Sequence, residues 1–260
     1  PVMYSALRMG GIEKCLFIGG SNAGRLATAA TALGVDAVQL VKGGWRLSKD
    51  SVDKLIPELR LALSKLAKET PIIIFCIDNS AFMAASEEGC LTPLSKCVKG
   101  DGGFHAEGDL VVAPEPSINY ALAQLQRLLD ECAGWIVYLL SPIPRYFIFP
   151  CCPAIEHMKN TNKPDFFRTL TKDLGKLREH ISSRFTTVTT VNTMELICGE
   201  GCDEQRIEDI CRAGWTSETV HLTAHTFAKM ALNLIEKNLT GGDTDWNTSH
   251  TEGQLFSSTC

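Results

Sequence analysis

Residues Cys15 to Leu26 read CLFIGGSNAGRL. Cys15 to Ile18 form an apolar run with aromatic and β-branched members, the composition of a strand covered on both faces. Gly19 and Gly20 interrupt it. From Asn22 the chain becomes Ala- and Leu-rich and stops at Gly34, where a helix would end. The stretch reads as a strand, a tight turn and a helix, the opening unit of an α/β fold. Its turn is either a glycine cradle for phosphate or a platform that offers Ser21 at the end of a strand.

The same alternation continues along the chain. Apolar or β-branched runs at Lys14–Ile18, Ala37–Val41, Ile72–Ile77, Trp135–Leu140 and Thr186–Val191 predict five strands. The last, TTVTTV, is the weakest and suits an edge. Amphipathic segments predict helices over Asn22–Leu33, Ser48–Glu69, Ser117–Ala133, Lys163–Phe185 and Thr223–Leu239. The second starts at a Ser/Asp cap, and Pro57 interrupts it. Alternating strands and helices predict a parallel sheet with right-handed crossovers, a three-layer α/β/α sandwich. Two segments break the rhythm. The polar, Gly-rich Glu87–Pro116 reads as a loop or hairpin over the sheet ends, and Pro142–Pro164 reads as irregular. Residues 1–13 read as a linker, 14–239 as the folded domain, and the Gly-, Ser-, Thr- and Asp-rich 240–260 as a disordered tail.

Bulk properties narrow the function. The 260 residues are 45% hydrophobic and 21% charged, as in ordinary globular proteins, and the formal net charge is -5. No basic tract is present, which argues against nucleic acid as a partner of this domain. No apolar run approaches the roughly 20 residues that span a bilayer. The N-terminal residues do not read as a signal peptide. The opening PVMYSALRMGG has no initiator Met and reads as part of a longer chain, so an upstream targeting signal stays open. There are 11 cysteines. Cys15 and Cys76 lie inside apolar runs, where a thiol behaves as a small hydrophobe, so a reducing, cytoplasmic compartment is expected ahead of a disulfide framework. The sequons at Asn238 and Asn247 are triplets that chance supplies.

Three readings of the glycine turn can be tested. In the dinucleotide fingerprint G-x-G-x-x-G, Gly19, Ser21 and Gly24 take the glycine places, so a side chain stands where the backbone must approach a pyrophosphate. The acid that should end the second strand is also missing, since that strand ends in Lys42. In the phosphate loop G-x-x-x-x-G-K-[ST], Gly19 and Gly24 are spaced correctly, but Arg25 and Leu26 replace the lysine and the hydroxyl. The nucleophile elbow G-x-S-x-G fails at Ala23, and so early a serine is unusual for that fold. A serine between a first parallel strand and its helix is nevertheless well placed for nucleophilic work. Open α/β sheets bind ligands at the carboxyl ends of their strands, and a helix N-terminus favours developing negative charge. The competing reading is that Ser21 simply caps the helix.

The other strand ends supply partners. Gly43 and Gly44 follow the second strand and free the backbone to present N–H groups, although a plain turn would look the same. Asn79 follows the third and offers a carboxamide donor, or else an Asx-turn. Asp78 beside it is a rival acid. Glu218 and His221, three apart before the final helix, have the spacing at which a carboxylate reaches an imidazole. The other imidazole nitrogen could then face a serine.

This assembly resembles the SGNH hydrolases, also called the GDSL esterase/lipase family, over roughly Cys15 to Leu239. Ser21 in GGSN, Gly44 in KGGW, Asn79 in IDNS and His221 in ETVHL match the family's four blocks in order and strand placement. The resemblance implies a flavodoxin-like sheet and cleavage of a carboxylic ester through an acyl-enzyme on Ser21. His221 would be the base and Glu218 its orienting acid. The Ser21 N–H, the Gly44 N–H and the Asn79 side chain would form the oxyanion hole, with no metal or other cofactor. Two departures stand out. Gly20 replaces the Asp of Gly-Asp-Ser, and Glu218 replaces the Asp of Asp-x-x-His. They leave room for a catalytically inactive binding module for an acylated, glycan or protein ligand. PRY…CC…H (Arg145, Tyr146, Cys151, Cys152, His157) is similar to the divergent SGNH-like domain of some animal retrotransposon polyproteins. Gly43, Arg145 and His105 are candidate substrate-binding residues, though His105 reads more simply as a loop residue. Neither Cys151/Cys152/His157 nor Cys198/Cys202/Cys211 has paired metal-ligand spacing, so no metal is expected. His225, one turn beyond His221, is a weaker candidate base.

Overall fold

The computed structural model describes residues 14–43, 45, 47–75, 82–87, 90–93, 109–142, 166–199 and 222–239. Five strands form one parallel sheet: β1 (Lys14–Gly19), β2 (Asp36–Val41), β3 (Ile72–Phe75), β7 (Val137–Leu140) and β8 (Thr189–Val191), in the order β2-β1-β3-β7-β8. This is the flavodoxin-like order, and TTVTTV supplies an edge as expected. Strand ends shift by one to three residues from the sequence reading, and residues 76 and 77 lie outside the described residues.

Side-chain alternation divides the core. Leu16, Ile18, Ile72, Ile74, Val137 and Leu139 face one layer of helices. These are α2 (Lys49–Leu63), α3 (Glu115–Glu131) and α4 (Phe166–Arg184). Cys15, Phe17, Ile73, Phe75, Leu140 and Val191 face the other. That layer holds α1 (Ser21–Ala32), α5 (Thr193–Cys198) and α6 (Ala224–Leu234), and α1 packs along α6. Both faces of the sheet are covered, which is why its strands read as continuous apolar runs.

Several boundaries have local causes. Ser48 caps α2, its hydroxyl accepting from the Ser51 N–H. The helix continues through Pro57 but ends at Leu63, six residues short of the expected Glu69. There the Lys65 and Leu66 N–H groups donate three residues back, to Ala62 and Leu63 carbonyls, and the tighter winding ends the helix. The segment expected as a loop or hairpin, Glu87–Pro116, supplies two strands of an antiparallel sheet whose central strand starts before it, at Met83. Strand β4 (Met83–Glu87) lies between β5 (Cys90–Pro93) and β6 (Asp109–Val112). Helix α5 was not expected from the sequence. Asn192 caps it by accepting from the Met194 N–H, and its amide donates to Glu195 at 2.7 Å. A π-helical turn, Ile235–Leu239, extends α6. The proposed linker 1–13 and tail 240–260 lie outside the described residues, and no described helix is long and apolar enough to cross a membrane.

The described cysteines Cys15, Cys90, Cys132 and Cys198 are not joined in disulfides. Burial pushes the Cys15 thiol up to about 12 from the usual 9.0. Cys132 is also pushed up to about 12, by burial and then by the Glu131 charge. The unfolded chain releases these protons near pH 9, whereas the folded chain holds them. Their contribution to stability is therefore complete below pH 9 and is lost as pH rises towards 12, by up to about 1.4 kcal/mol per pH unit for each thiol. Urea denaturation at pH 8 and pH 10.5 should show lower stability at the higher pH. Cys15→Ala and Cys132→Ala should flatten that dependence; an unchanged slope would remove the thiols as its cause.

Candidate functional site

The carboxyl end of β1 leads through Gly20 into Ser21. Gly19 ends the strand opposite Phe75 of β3, and the Lys42 N–H donates to the Gly19 carbonyl at 3.0 Å from the side of β2. Gly20 then takes the N-cap position of α1 with an extended backbone (φ −86°, ψ −161°). Ser21 is the first helical residue and is half-buried. The helix is therefore capped by a residue that has no side chain to accept from it. The reading of Ser21 as the N-cap is corrected: its hydroxyl does not stand at the capping position.

The electrostatics at this end favour an anion. No acidic residue lies in the first turn of α1. The helical ladder begins with the Gly24 N–H donating to the Gly20 carbonyl at 3.3 Å. The N–H groups before it point out of the helix towards the carboxyl edge of the sheet, the positive end of the helix dipole.

The turn after β2 lies beside this end. The Trp45 N–H donates to the Lys42 carbonyl at 3.1 Å and closes the turn. A Cβ placed on Gly20 would stand 3.9 Å from the carbonyl oxygens of both Lys42 and Trp45. Gly43 lies in this turn and is exposed. A Cβ there would meet nothing within 4 Å, so no close approach demands a glycine at this point. The structure thus brings the start of α1 and the Gly43 turn together.

The far half of the carboxyl edge is tied by two buried side chains. The Thr193 N–H donates to Ser141 Oγ at 3.1 Å, and Thr193 Oγ1 donates to the Ser141 carbonyl at 2.7 Å. The Ser141 N–H donates to the Val191 carbonyl at 2.9 Å. This latch joins the ends of β7 and β8, and the sequence reading missed it.

The remaining candidates divide as follows. Gly44, Asn79, Glu218 and His221 lie outside the described residues, as do Asp78, His105, Arg145, Tyr146, Cys151, Cys152, His157, Cys202 and Cys211. The described chain resumes at Leu222, which is buried in the same core as α1. Thr223 caps α6, its hydroxyl accepting from the Thr226 N–H. His225, the weaker candidate base, is exposed on the first turn of that helix. Cys198 is buried in the same core. Among the described residues no cluster of His, Cys, Asp and Glu could hold a metal ion.

Two surface grooves lie elsewhere. One, of about 440 Å³, runs between α2 and α3 past Asp53, Pro57 and Arg127. There Arg60 clamps Glu131 at 2.7 and 2.6 Å, and Arg127 pairs with Asp53. The other, of about 470 Å³, lies along β8 beside Arg178 and Glu195. Neither is lined by Ser21.

No family model matches the chain. No curated protein matches its sequence. Among solved structures, it is similar to a Streptococcus pneumonia protein assigned as a platelet activating factor. That likeness has 12% identity over 89% of this chain and 86% of the other, with a TM-score of 0.49. It is also similar to the periplasmic domain of a lipopolysaccharide acetyltransferase from Salmonella ser. Paratyphi A, with 11% identity over 88% and 84% of the two chains and a TM-score of 0.46. A third is a protein of Parabacteroides merdae assigned as a GDSL-like lipase, with 14% identity over 83% and 78% and a TM-score of 0.40. The strand order observed here is the one that the SGNH resemblance implied. Likeness at this level concerns the fold, and the roles of residues rest on their own chemistry.

Proposed function

We propose that this chain is a serine acyl hydrolase that cleaves a carboxylic ester through an acyl-enzyme on Ser21. The observation that carries the reading is the position of Ser21. It is the first residue of a helix whose cap has no side chain and whose first turn has no acid, at the carboxyl end of an inner strand of a parallel sheet. An oxyanion formed there would meet backbone N–H groups already aimed at it.

In the mechanism, His221 removes the Ser21 hydroxyl proton as the oxygen attacks the acyl carbonyl. Glu218 holds the imidazole tautomer and stabilises the imidazolium. The Ser21 and Gly44 N–H groups and the Asn79 side chain donate to the oxyanion. The imidazolium passes its proton to the leaving alcohol, and water, activated by the same base, releases the acid. Leu222 supports this reading, because it anchors the chain in the core shared with α1, one Cα–Cα step of about 3.8 Å beyond His221. The substrate class is a small-molecule, lipid or glycan ester. Gly43 and Arg145 would contact the acyl or alcohol part, with His105 a third candidate.

Gly20, standing where the family has an acid, favours one alternative: a retired enzyme that binds such a ligand without turning it over. A fluorophosphonate probe separates the two, because it labels only an activated serine. Hydrolysis of p-nitrophenyl acetate, butyrate and octanoate tests the enzyme reading and begins to size the pocket. Glu218→Gln is expected to lower kcat less than His221→Ala does, because an orienting acid acts through the base. An unchanged rate would assign orientation to another residue.

A further inference from the structure

We propose that β2 is a docking edge for a second copy of this chain. The two β2 strands pair antiparallel about a two-fold axis at Gln39 and join their sheets. This pairing does not depend on the ester chemistry.

The five-stranded sheet ends in β8 on one side and in β2 on the other. An edge strand presents a row of unpaired N–H and C=O groups, which proteins blunt by brevity, a proline, a bulge or a charge. β8 is blunted by its length, three residues. β2 has six, DAVQLV, in unbroken register with β1. Between Asp36 and Lys42 it carries no proline and no charge. None of its residues is fully buried, and no strand pairs with its outer side among the described residues. Val38 and Leu40 lean on the core that α2 joins, and Ala37 and Val41 on the core that α1 joins. Apolar surface on both faces of the sheet therefore stops at an open edge.

Backbone direction limits the register. The Lys42 N–H donates to the Gly19 carbonyl of β1 at 3.0 Å. Backbone polar groups alternate sides along a strand, so those of Ala37, Gln39 and Val41 face outward. In an antiparallel pair, opposed residues of this kind exchange both N–H···O bonds. With the axis at Gln39, Gln39 exchanges bonds with Gln39 of the second copy, and Ala37 with Val41 of the second copy. An axis at Val38 or Leu40 would set Val41 or Ala37 opposite a residue outside β2.

Charge selects the same axis. Asp36 and Lys42 lie three residues to either side of Gln39, so each faces the other across the pairing. Val38 meets Leu40 of the second copy on the same face, an apolar cross-strand pair. Asp36 and Lys42 are exposed, and their contacts within the chain are surface pairs. Lys14 lies 3.0 Å from Asp36, and Glu58 lies 4.0 Å from Lys42. A carboxylate and an ammonium group each have room for a further partner. The contact is narrow against the roughly 20–30 residues a side of a standard interface, so the dimer is weak and reversible.

Sedimentation velocity of the full chain over a range of concentrations tests this. A reversible monomer–dimer equilibrium that weakens in high salt is expected. Gln39→Pro removes the central N–H, which β1 does not use, and proline is tolerated on an edge strand. It should abolish the dimer. At a dilution where the parent is monomeric, its melting temperature should stay near the parent's. Asp36→Lys and Lys42→Asp should each raise the dimer Kd by about tenfold, because attractive pairs at both ends become repulsive ones. Mixed together, the two variants should pair with each other at close to the parent's affinity, since both ends then match. Damage to one strand would not be repaired by mixing. A monomer at every concentration overturns the proposal. So does a dimer that survives Gln39→Pro, which lies elsewhere on the molecule. Variants that do not recover on mixing overturn the two-fold register. Should Gln39→Pro not fold, the charge exchange decides alone. A monomer whose Ala37, Gln39 and Val41 amides resist hydrogen exchange would have the edge taken by another segment of its own chain, and that too overturns the proposal.

Discussion

Ser21→Ala is expected to lower ester hydrolysis by roughly 10⁴-fold or more, leaving a small residual rate above that of buffer. The size follows from the role. Without the hydroxyl no acyl-enzyme forms, and what remains is the contribution of binding and of the N–H donors. His221→Ala should fall to a similar level, since serine and base act as one unit. The fold should be indifferent to Ser21→Ala. Ser21 is half-buried at the first position of α1, and Gly20 holds the cap. Alanine suits a helical position at least as well as serine. The melting temperature should therefore stay within a degree or two of the parent's, so that a lost rate reports chemistry rather than unfolding. The measurement is kcat/KM on the three p-nitrophenyl esters for the parent and both variants. A Ser21→Ala protein that keeps most of its rate would remove Ser21 as the nucleophile.

The frame around Ser21 was legible because it depends on local patterns. The inner strands of the sheet are buried on both faces, so Leu16–Ile18 and Ile72–Ile74 appear as unbroken apolar runs. Helices α2, α3, α4 and α6 declared themselves through their spacing, and Ser48 and Thr223 marked two starts. What escaped notice lacks a period. The strand β4, MAASE, is short and mixed, and its partner β6 comes from beyond the polar stretch 94–108. Helix α5 is too short for periodicity, although Asn192 and Glu195, three apart, form a cap signature that could have revealed it. Ser141 and Thr193 are 52 residues apart in sequence. The site itself is harder to read. Of the four block residues only Ser21 lies among the described residues, and it is the one that follows from a strand–helix pattern.

The second large effect is expected at Gly19, where Gly19→Ala should lower stability by about 3 kcal/mol or more. Gly19 has φ +152°, a conformation that a side chain disfavours. A Cβ there would also overlap the carbonyl oxygen of Phe75, standing 2.7 Å from its carbon and 2.9 Å from the Ala23 Cβ. Phe75 contributes backbone, paired in register with Gly19 in the middle of the sheet, so it cannot yield without opening the β1–β3 ladder. Other glycines lack this overlap. Gly134 has φ +79°, but a Cβ there would meet nothing within 4 Å, so Gly134→Ala should cost only the conformational penalty of roughly 1–2 kcal/mol. Gly43→Ala, with open space around it, should be close to neutral. Urea midpoints at unchanged m-value would give the order Gly19 far below Gly134, with Gly43 near the parent. If Gly19→Ala proved no worse than Gly134→Ala, the close approach of β1 to β3 would be wrong. The effect reaches the site as well, because Gly19 fixes the direction in which the chain enters α1. Even at temperatures where Gly19→Ala stays folded, relief of the overlap would displace Ser21 from its place at the strand end. Its kcat should then fall by more than that of Gly134→Ala, whose residue lies in the turn after α3.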